Sequence, residues 1–158
     1  MNTVRYTFAR AGLAVLLGFP IVFATVAHAA DTTPSTLDDV PAFKAAREKI
    51  KTGDHAAAIP LLASVLKDKP KEADALSLMG FSLRKTGKAN EALNYYGRAL
   101  AVDPKHLGAN EYLGELYAEL GQIDNARARL AVLETACGKK CEQTEEVAEA
   151  IQKASTKR

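Results

Sequence analysis

Tryptophan is absent from this 158-residue chain, aromatic residues make up 6% of it, and it holds two cysteines, two methionines and three histidines. Each scarcity excludes something. A core with no Trp and few rings must be built from Ala and Leu, which favours packed helices over a sandwich or a barrel. No run of basic residues occurs, and Arg5 and Arg10 set the sign of the charge: without them 21 − 2 = 19 bases face 19 acids. A neutral body argues against nucleic acid as a partner, because phosphate binding needs a clustered positive surface. No glycine-rich phosphate loop appears. Of the histidines, His55 and His106 lie in the body of the chain, expected exposed at a helix start and in a turn. Neither has a Ser, Cys or acidic partner in a nucleophile arrangement. Glu111 and Glu115 imitate a carboxylate pair, but on a helix they are expected to face solvent, without the burial an acid catalyst needs. Neither an enzyme nor a bound cofactor is therefore expected. What is plentiful is ordinary: 47% apolar and 25% charged residues suit a single globular domain.

The first thirty residues carry no acid. Arg5 and Arg10 give a positive start, Ala11 to Val26 are apolar, and Ala27-His28-Ala29 offers small residues where a signal peptidase inspects them. Residues 1–29 read as a cleaved signal peptide, with cleavage after Ala30 as the close alternative. An uncleaved anchor is the competing reading. The apolar run, however, falls short of the roughly 20 residues a span needs and is broken by Gly12, Gly18 and Pro20. No stable membrane span is expected after cleavage, and the product is expected in the periplasm or secreted. Residues 30–38 read as a flexible polar leader, too poor in apolar groups to fold alone.

Beyond the leader the chain repeats. Gly53, Gly87 and Gly121 fall at one constant interval, since 87 − 53 = 34 and 121 − 87 = 34; Ala58, Ala92 and Ala126 keep that interval, as do Pro70 and Pro104. The middle unit, 73–106, carries Leu76, Met79, Gly80, Leu83, Gly87, Ala92, Tyr96, Ala99 and Pro104. On these residues the chain resembles the tetratricopeptide repeat (TPR) family, whose unit is a helix–turn–helix of this length. The third unit, 107–140, keeps Leu113, Gly114, Tyr117, Gly121, Ala126 and Leu130 but has Asn110 where a large apolar residue is usual. The first, 39–72, keeps Ala42, Ala45, Ala46, Gly53, Ala58, Leu62 and Pro70, with Lys49 where an aromatic is common. The resemblance implies an all-α fold, a right-handed α-solenoid of three hairpins.

The residues support the same architecture on physical grounds. Leu76, Met79 and Leu83, then Leu93, Tyr96 and Leu100, recur three and four apart, a helical stripe in each half of the unit. Gly80 and Ala92 are small where antiparallel helices must approach closely. Gly87 ends a helix, and Asp103-Pro104 stops the next. Pro60 falls inside the second helix of the first unit and is expected to bend it. Each hairpin has an open apolar side until the next stacks on it, so a terminal cap is required. Val147, Ile151 and Ala154 at helical spacing, with acids early and bases late, predict a capping helix from about Glu142 to Ala154 within the 141–158 tail.

Cys137 and Cys141 fall where the third unit meets this cap, and Gly138 stands where a stop proline would be. In an oxidising compartment they most simply form a disulfide, worth roughly 2 kcal/mol in the chain-entropy model. An exchangeable redox pair or a metal site remains open. Three residues separate the cysteines, one more than the usual redox motif, and no four-ligand zinc set is near.

The TPR resemblance implies a concave groove lined by the first helix of each unit. Carried over position by position, it presents Phe43, Lys44, Arg47 and Lys51, then Ser77, Leu78, Phe81, Arg84 and Lys85, then Glu111, Tyr112, Glu115 and Glu119. Leu78, Phe81 and Tyr112 are apolar where internal packing does not require it; the bland alternative is that they cover the cap or the leader. The groove reads basic over two units and acidic over the third. Arg47 and Phe81 depart from the family's carboxylate clamp, so recognition of heat-shock protein tails is not expected. The function expected is a non-enzymatic scaffold or adaptor binding a partner peptide or protein. A thiol-exchange or metal-handling accessory using Cys137 and Cys141 is the alternative, and self-association a third possibility.

Overall fold

A computed structural model describes residues 36–156; the expected signal peptide, residues 30–35 of the leader and the last two residues lie outside them. Among the described residues there are seven α-helices and no strand. They are α1 (Pro41–Lys51), α2 (His55–Asp68), α3 (Ala73–Lys85), α4 (Ala89–Val102), α5 (Leu107–Glu119), α6 (Ile123–Ala136) and α7 (Glu142–Thr156). None is long and apolar enough to cross a membrane. The second helices α2, α4 and α6 start at His55, Ala89 and Ile123, one repeat interval apart each time. This is the expected α-solenoid: hairpins α1/α2, α3/α4 and α5/α6 stack in order, and α7 packs on α5 and α6.

The turns within the hairpins are closed the same way three times. Gly53, Gly87 and Gly121 take φ of 79°, 81° and 73°, a region costly for any other residue. At each, the glycine N–H and the next N–H reach back to carbonyls of the finished helix, as in Gly87 to Arg84 (3.0 Å) and Lys88 to Leu83 (2.9 Å). Inside the middle hairpin Gly80 is obligatory for a different reason. A Cβ there would stand 2.6 Å from Cε1 of Tyr96, a ring that is itself fully buried. The close approach expected from the sequence is therefore present, and Tyr96 is the group that needs the room.

Three local expectations need adjustment. Leu37–Asp39 form a short 3-10 turn, with Thr36 and Asp39 capping one another. Leu37 packs on the core, so residues 37 and 38 of the leader are part of the folded body. Helix α2 runs unbroken through Pro60, which is exposed, as is Ala56, whose carbonyl loses its helical donor there. Asn110, in the place of a large apolar residue, is fully buried but satisfied. Its amide nitrogen donates to the carbonyls of Pro104 (3.1 Å) and His106 (3.0 Å), and its oxygen accepts from Arg129 (3.3 Å).

The interior divides in two. One apolar cluster runs from Phe43 through Leu62, Leu76 and Tyr96 to Leu116. A second, of Ala118, Ala126, Leu133, Val147 and Ile151, joins α5 and α6 to the cap. Burying Val147 and Ile151 contributes roughly 3–5 kcal/mol before the entropy of ordering the helix is subtracted. Cys137 and Cys141 are bonded to each other at this seam, their Cα atoms 5.9 Å apart. Thr144 there donates to the carbonyl of Gly138 (2.9 Å), tying the first turn of α7 to the linker before it.

Candidate functional site

The first helices α3 and α5 touch and α7 extends their row by touching α5, while Phe43 and Arg47 of α1 share a cleft with Ser77 and Leu78 of α3 and Tyr112 of α5. Ring contacts cross this face. Phe81 of α3 meets Tyr112 of α5 with ring centres 4.7 Å apart, and His55 at the start of α2 meets Phe81 edge-on at 5.3 Å. Lys85 holds its ammonium 5.2 Å from the centre of the Phe81 ring. Leu78 and Tyr112 are half-buried against the core, so their packing is partly internal.

Other sequence-predicted groove residues behave differently. Phe43 is 3% exposed and belongs to the core, where its body is covered while an edge lines a cleft beside Leu37. Ser77 is also buried, its hydroxyl without a hydrogen-bond partner. Lys44 and Lys51 are exposed, and Arg47 is held by Asp38 at 2.6 Å. The division into a basic and an acidic half does not leave both halves free. Arg84, with a side chain only 8% exposed, bonds Glu115 and clasps Glu119 through Nε (3.0 Å) and Nη2 (2.5 Å). Burial pulls the guanidinium pKa down, but the Glu119 and Glu115 carboxylates outweigh it and hold it above its ordinary value. Arg84 in turn keeps Glu119 below the usual carboxylate range.

Glu111 overturns the expectation that the two glutamates of α5 face solvent. It is 7% exposed, and burial first, then the neighbouring Glu146 carboxyl, pushes its pKa up to about 8. Burial and the Glu111, Glu115 and Glu146 carboxylates likewise push Tyr112 up to about 12. Glu146 comes from α7. It stands one repeat interval after Tyr112, and Glu149 stands one interval after Glu115, so the cap continues the register of the face. Extending the sequence periodicity one more unit would have found both. Glu111, Glu115 and Glu146 bring one carboxylate oxygen each to within 4.8 Å of one another. Beside them a cleft of about 670 Å³ runs between Arg84, Glu115 and Glu119 on one wall and Glu146, Glu149 and Lys153 on the other.

His55 and His106 are not the exposed residues expected from sequence. His55 is half-buried on Phe81. The His106 side chain is 15% exposed; its Nδ1 accepts from the N–H of Ala109 (3.0 Å), capping α5, and its Nε2 meets Asp74 at 2.9 Å. The hydrogen bond from His106 holds Asp74 below the usual carboxylate range. Asp74, Ser77 and His106 line one cleft and resemble a nucleophile set in type alone. Both imidazole nitrogens are engaged, so neither can take a proton from Ser77.

A tetratricopeptide repeat family model matches residues 83–136. The TPR repeat-containing thioredoxin TTL4 of Arabidopsis thaliana is 28% identical over 107 residues, 68% of this chain and 16% of that protein. The chain thus corresponds to a small part of that relative. Among solved structures, the TPR2B domain of yeast Sti1 in its pHsp70 complex superposes with a TM-score of 0.66 at 20% identity, covering 74% of this chain and 95% of that one. The Yersinia enterocolitica type III secretion chaperone SycD, in complex with a peptide of the translocator YopD, gives 0.63 at 15% identity over 73% and 91%. At these identities the structural likeness speaks for the fold, which is that of a TPR solenoid.

Proposed function

We propose that this protein is a non-enzymatic interaction module that receives a peptide or protein segment across the face formed by α1, α3, α5 and α7. The observation that carries this reading is the Phe81–Tyr112 pair, two rings in contact on that face and only half-buried. Apolar surface of this kind, rimmed by charge, is what an extended segment buries on binding. The YopD-peptide complex of SycD and the pHsp70 complex of Sti1 are examples of the same fold with a bound partner, and they support the reading by analogy. Phe81→Ala or Tyr112→Ala is expected to weaken a partner by about 1 kcal/mol or more with helicity unchanged. A pull-down in which both variants keep every wild-type partner would reject this assignment.

We place the mature protein outside the cytoplasm, on the strength of Arg5, Arg10, the apolar stretch after them and the Ala27-His28-Ala29 site. The bonded Cys137–Cys141 pair suits such a compartment. Mass spectrometry of protein from the periplasmic fraction should find Ala30 or Asp31 as the first residue. Intact Met1 on protein confined to the cytosol would overturn the placement.

A further inference from the structure

One end of the binding face is crowded with carboxyls, only one of which is paired with a base. Glu111, Glu115 and Glu146 converge there. Arg84, the base beside Glu115, is already engaged by Glu115 and Glu119. Lys153, the other base lining the cleft, acts on Glu119. Glu111 is more than nine-tenths buried, and the neighbour it hydrogen-bonds is another carboxyl, Glu146, in place of a base. A buried carboxyl crowded by carboxyls keeps a proton, and a docked cation can take that proton's place.

Two neighbouring features say what kind of cation fits. The aromatic strip His55–Phe81–Tyr112 runs up to this pole, because Arg84 donates both to the Tyr112 carbonyl and to Glu115 of the cluster. The adjoining cleft, about 670 Å³, is far larger than an ion and open along its length between α5 and α7. A bare metal ion would use the three carboxylates and leave both features without a part. An acidic segment would meet repulsion from the converging glutamates. A segment with an apolar residue and a basic one satisfies all of them.

We propose that the occupant of the face is a peptide segment carrying lysine or arginine, whose cationic head enters the Glu111–Glu115–Glu146 cluster while an apolar residue of the same segment lies on Phe81 and Tyr112. This deepens the interaction-module reading and rests on it. With one Glu115 oxygen taken by Arg84, up to five carboxylate oxygens remain, enough to accept every N–H of an ammonium or to grip a guanidinium in two places. Because Glu146 belongs to the cap, the bound cation also bridges α5 to α7 and relieves the repulsion between them.

The test uses short acetylated and amidated peptides with one phenylalanine and one lysine, beside the same peptides with norleucine for lysine. Binding to the full mature protein is followed by amide chemical shifts. The lysine peptides are expected to bind about tenfold tighter, with shifts at Tyr112 and Glu146, and to lose that advantage in high salt and in Glu146→Gln. Glu146 is exposed, so this variant should keep its fold; Glu115→Gln is the second, checked by circular dichroism. Equal binding of both peptide sets at Phe81 and Tyr112 would overturn the cation pocket and leave the interaction face standing. Shifts confined to the outer helices α2, α4 and α6 would overturn both. A parallel calcium titration that saturates the three glutamates and displaces the lysine peptides at lower concentration would make the cluster a metal site and also overturn the proposal.

Discussion

Repeats two and three share an interior and differ on the face they present. Position for position, Met79 matches Leu113, Gly80 matches Gly114, Leu83 matches Tyr117 and Ala92 matches Ala126. All of these are buried except Tyr117, which is half-buried. On the face, the same interval separates Ser77 from Glu111, Phe81 from Glu115 and Lys85 from Glu119, and here every pair changes character. Stacking constrains most of the interior, because each hairpin must fit the next, and the buried change from Leu76 to Asn110 is the exception. The face has no such obligation and is where the two units diverge. At the face the seam between them therefore gains a charged contact beside its apolar core: Arg84 of one repeat is held by Glu115 and Glu119 of the other.

The largest expected effect comes from breaking that seam. Arg84→Ala leaves Glu115 without its base in a largely buried setting and Glu119 without one at the surface, and should cost about 3 kcal/mol in urea unfolding. An unchanged midpoint would mean that the two repeats are joined by apolar contact alone. The paired glycines sharpen the comparison next. Gly80→Ala forces a Cβ to 2.6 Å from the Tyr96 ring, whereas at Gly114 the Cβ meets a Val147 methyl at 2.9 Å. Tyr96 is locked in the middle hairpin, while Val147 rides on a terminal helix that can shift. Gly80→Ala should cost about 2 kcal/mol and Gly114→Ala about 1 kcal/mol. Equal costs would show the cap to be as rigid as an internal hairpin.

The smallest effect is in pH. With its pKa raised from 4.5 to about 8, Glu111 holds a proton when folded that it releases when unfolded. That contribution to stability is complete below about pH 4.5 and is lost as pH rises through 8. In chelator-treated protein, Glu111→Gln should therefore flatten the decline. It should gain about 1 kcal/mol near the upper end, after allowance for solvent screening, and nothing in acid. Melting curves for the two proteins that run parallel across this range would show Glu111 to be ionised in the fold.

Much of the architecture could be read from spacing, and the reasons are local. Glycine at a positive φ, alanine in a close crossing and proline past a helix end each state a geometric need within their own unit. Spacing also put Phe81 and Tyr112 on one face, where their rings meet, but it did not show that Tyr112 packs on the core as well. Glu111 was not, because its burial depends on α7 folding over α5, a contact made about one repeat further along the chain. Asn110 is the same case: its place in the core is granted by Arg129 and two carbonyls, which no periodicity reveals. Phe43 turned inward because Leu37 and Val40, assigned to the leader and to the start of the first helix, pack against the same core.

Photo-crosslinking in the producing cells tests the face most directly. A photoreactive residue at Leu78 or Glu149 should trap partner protein, while the same residue at Glu91 or Ala128, exposed on the outer helices α4 and α6, should trap none. Crosslinks from Glu91 and Ala128 with silence at Leu78 and Glu149 would contradict the claim that the inner row is where this protein binds.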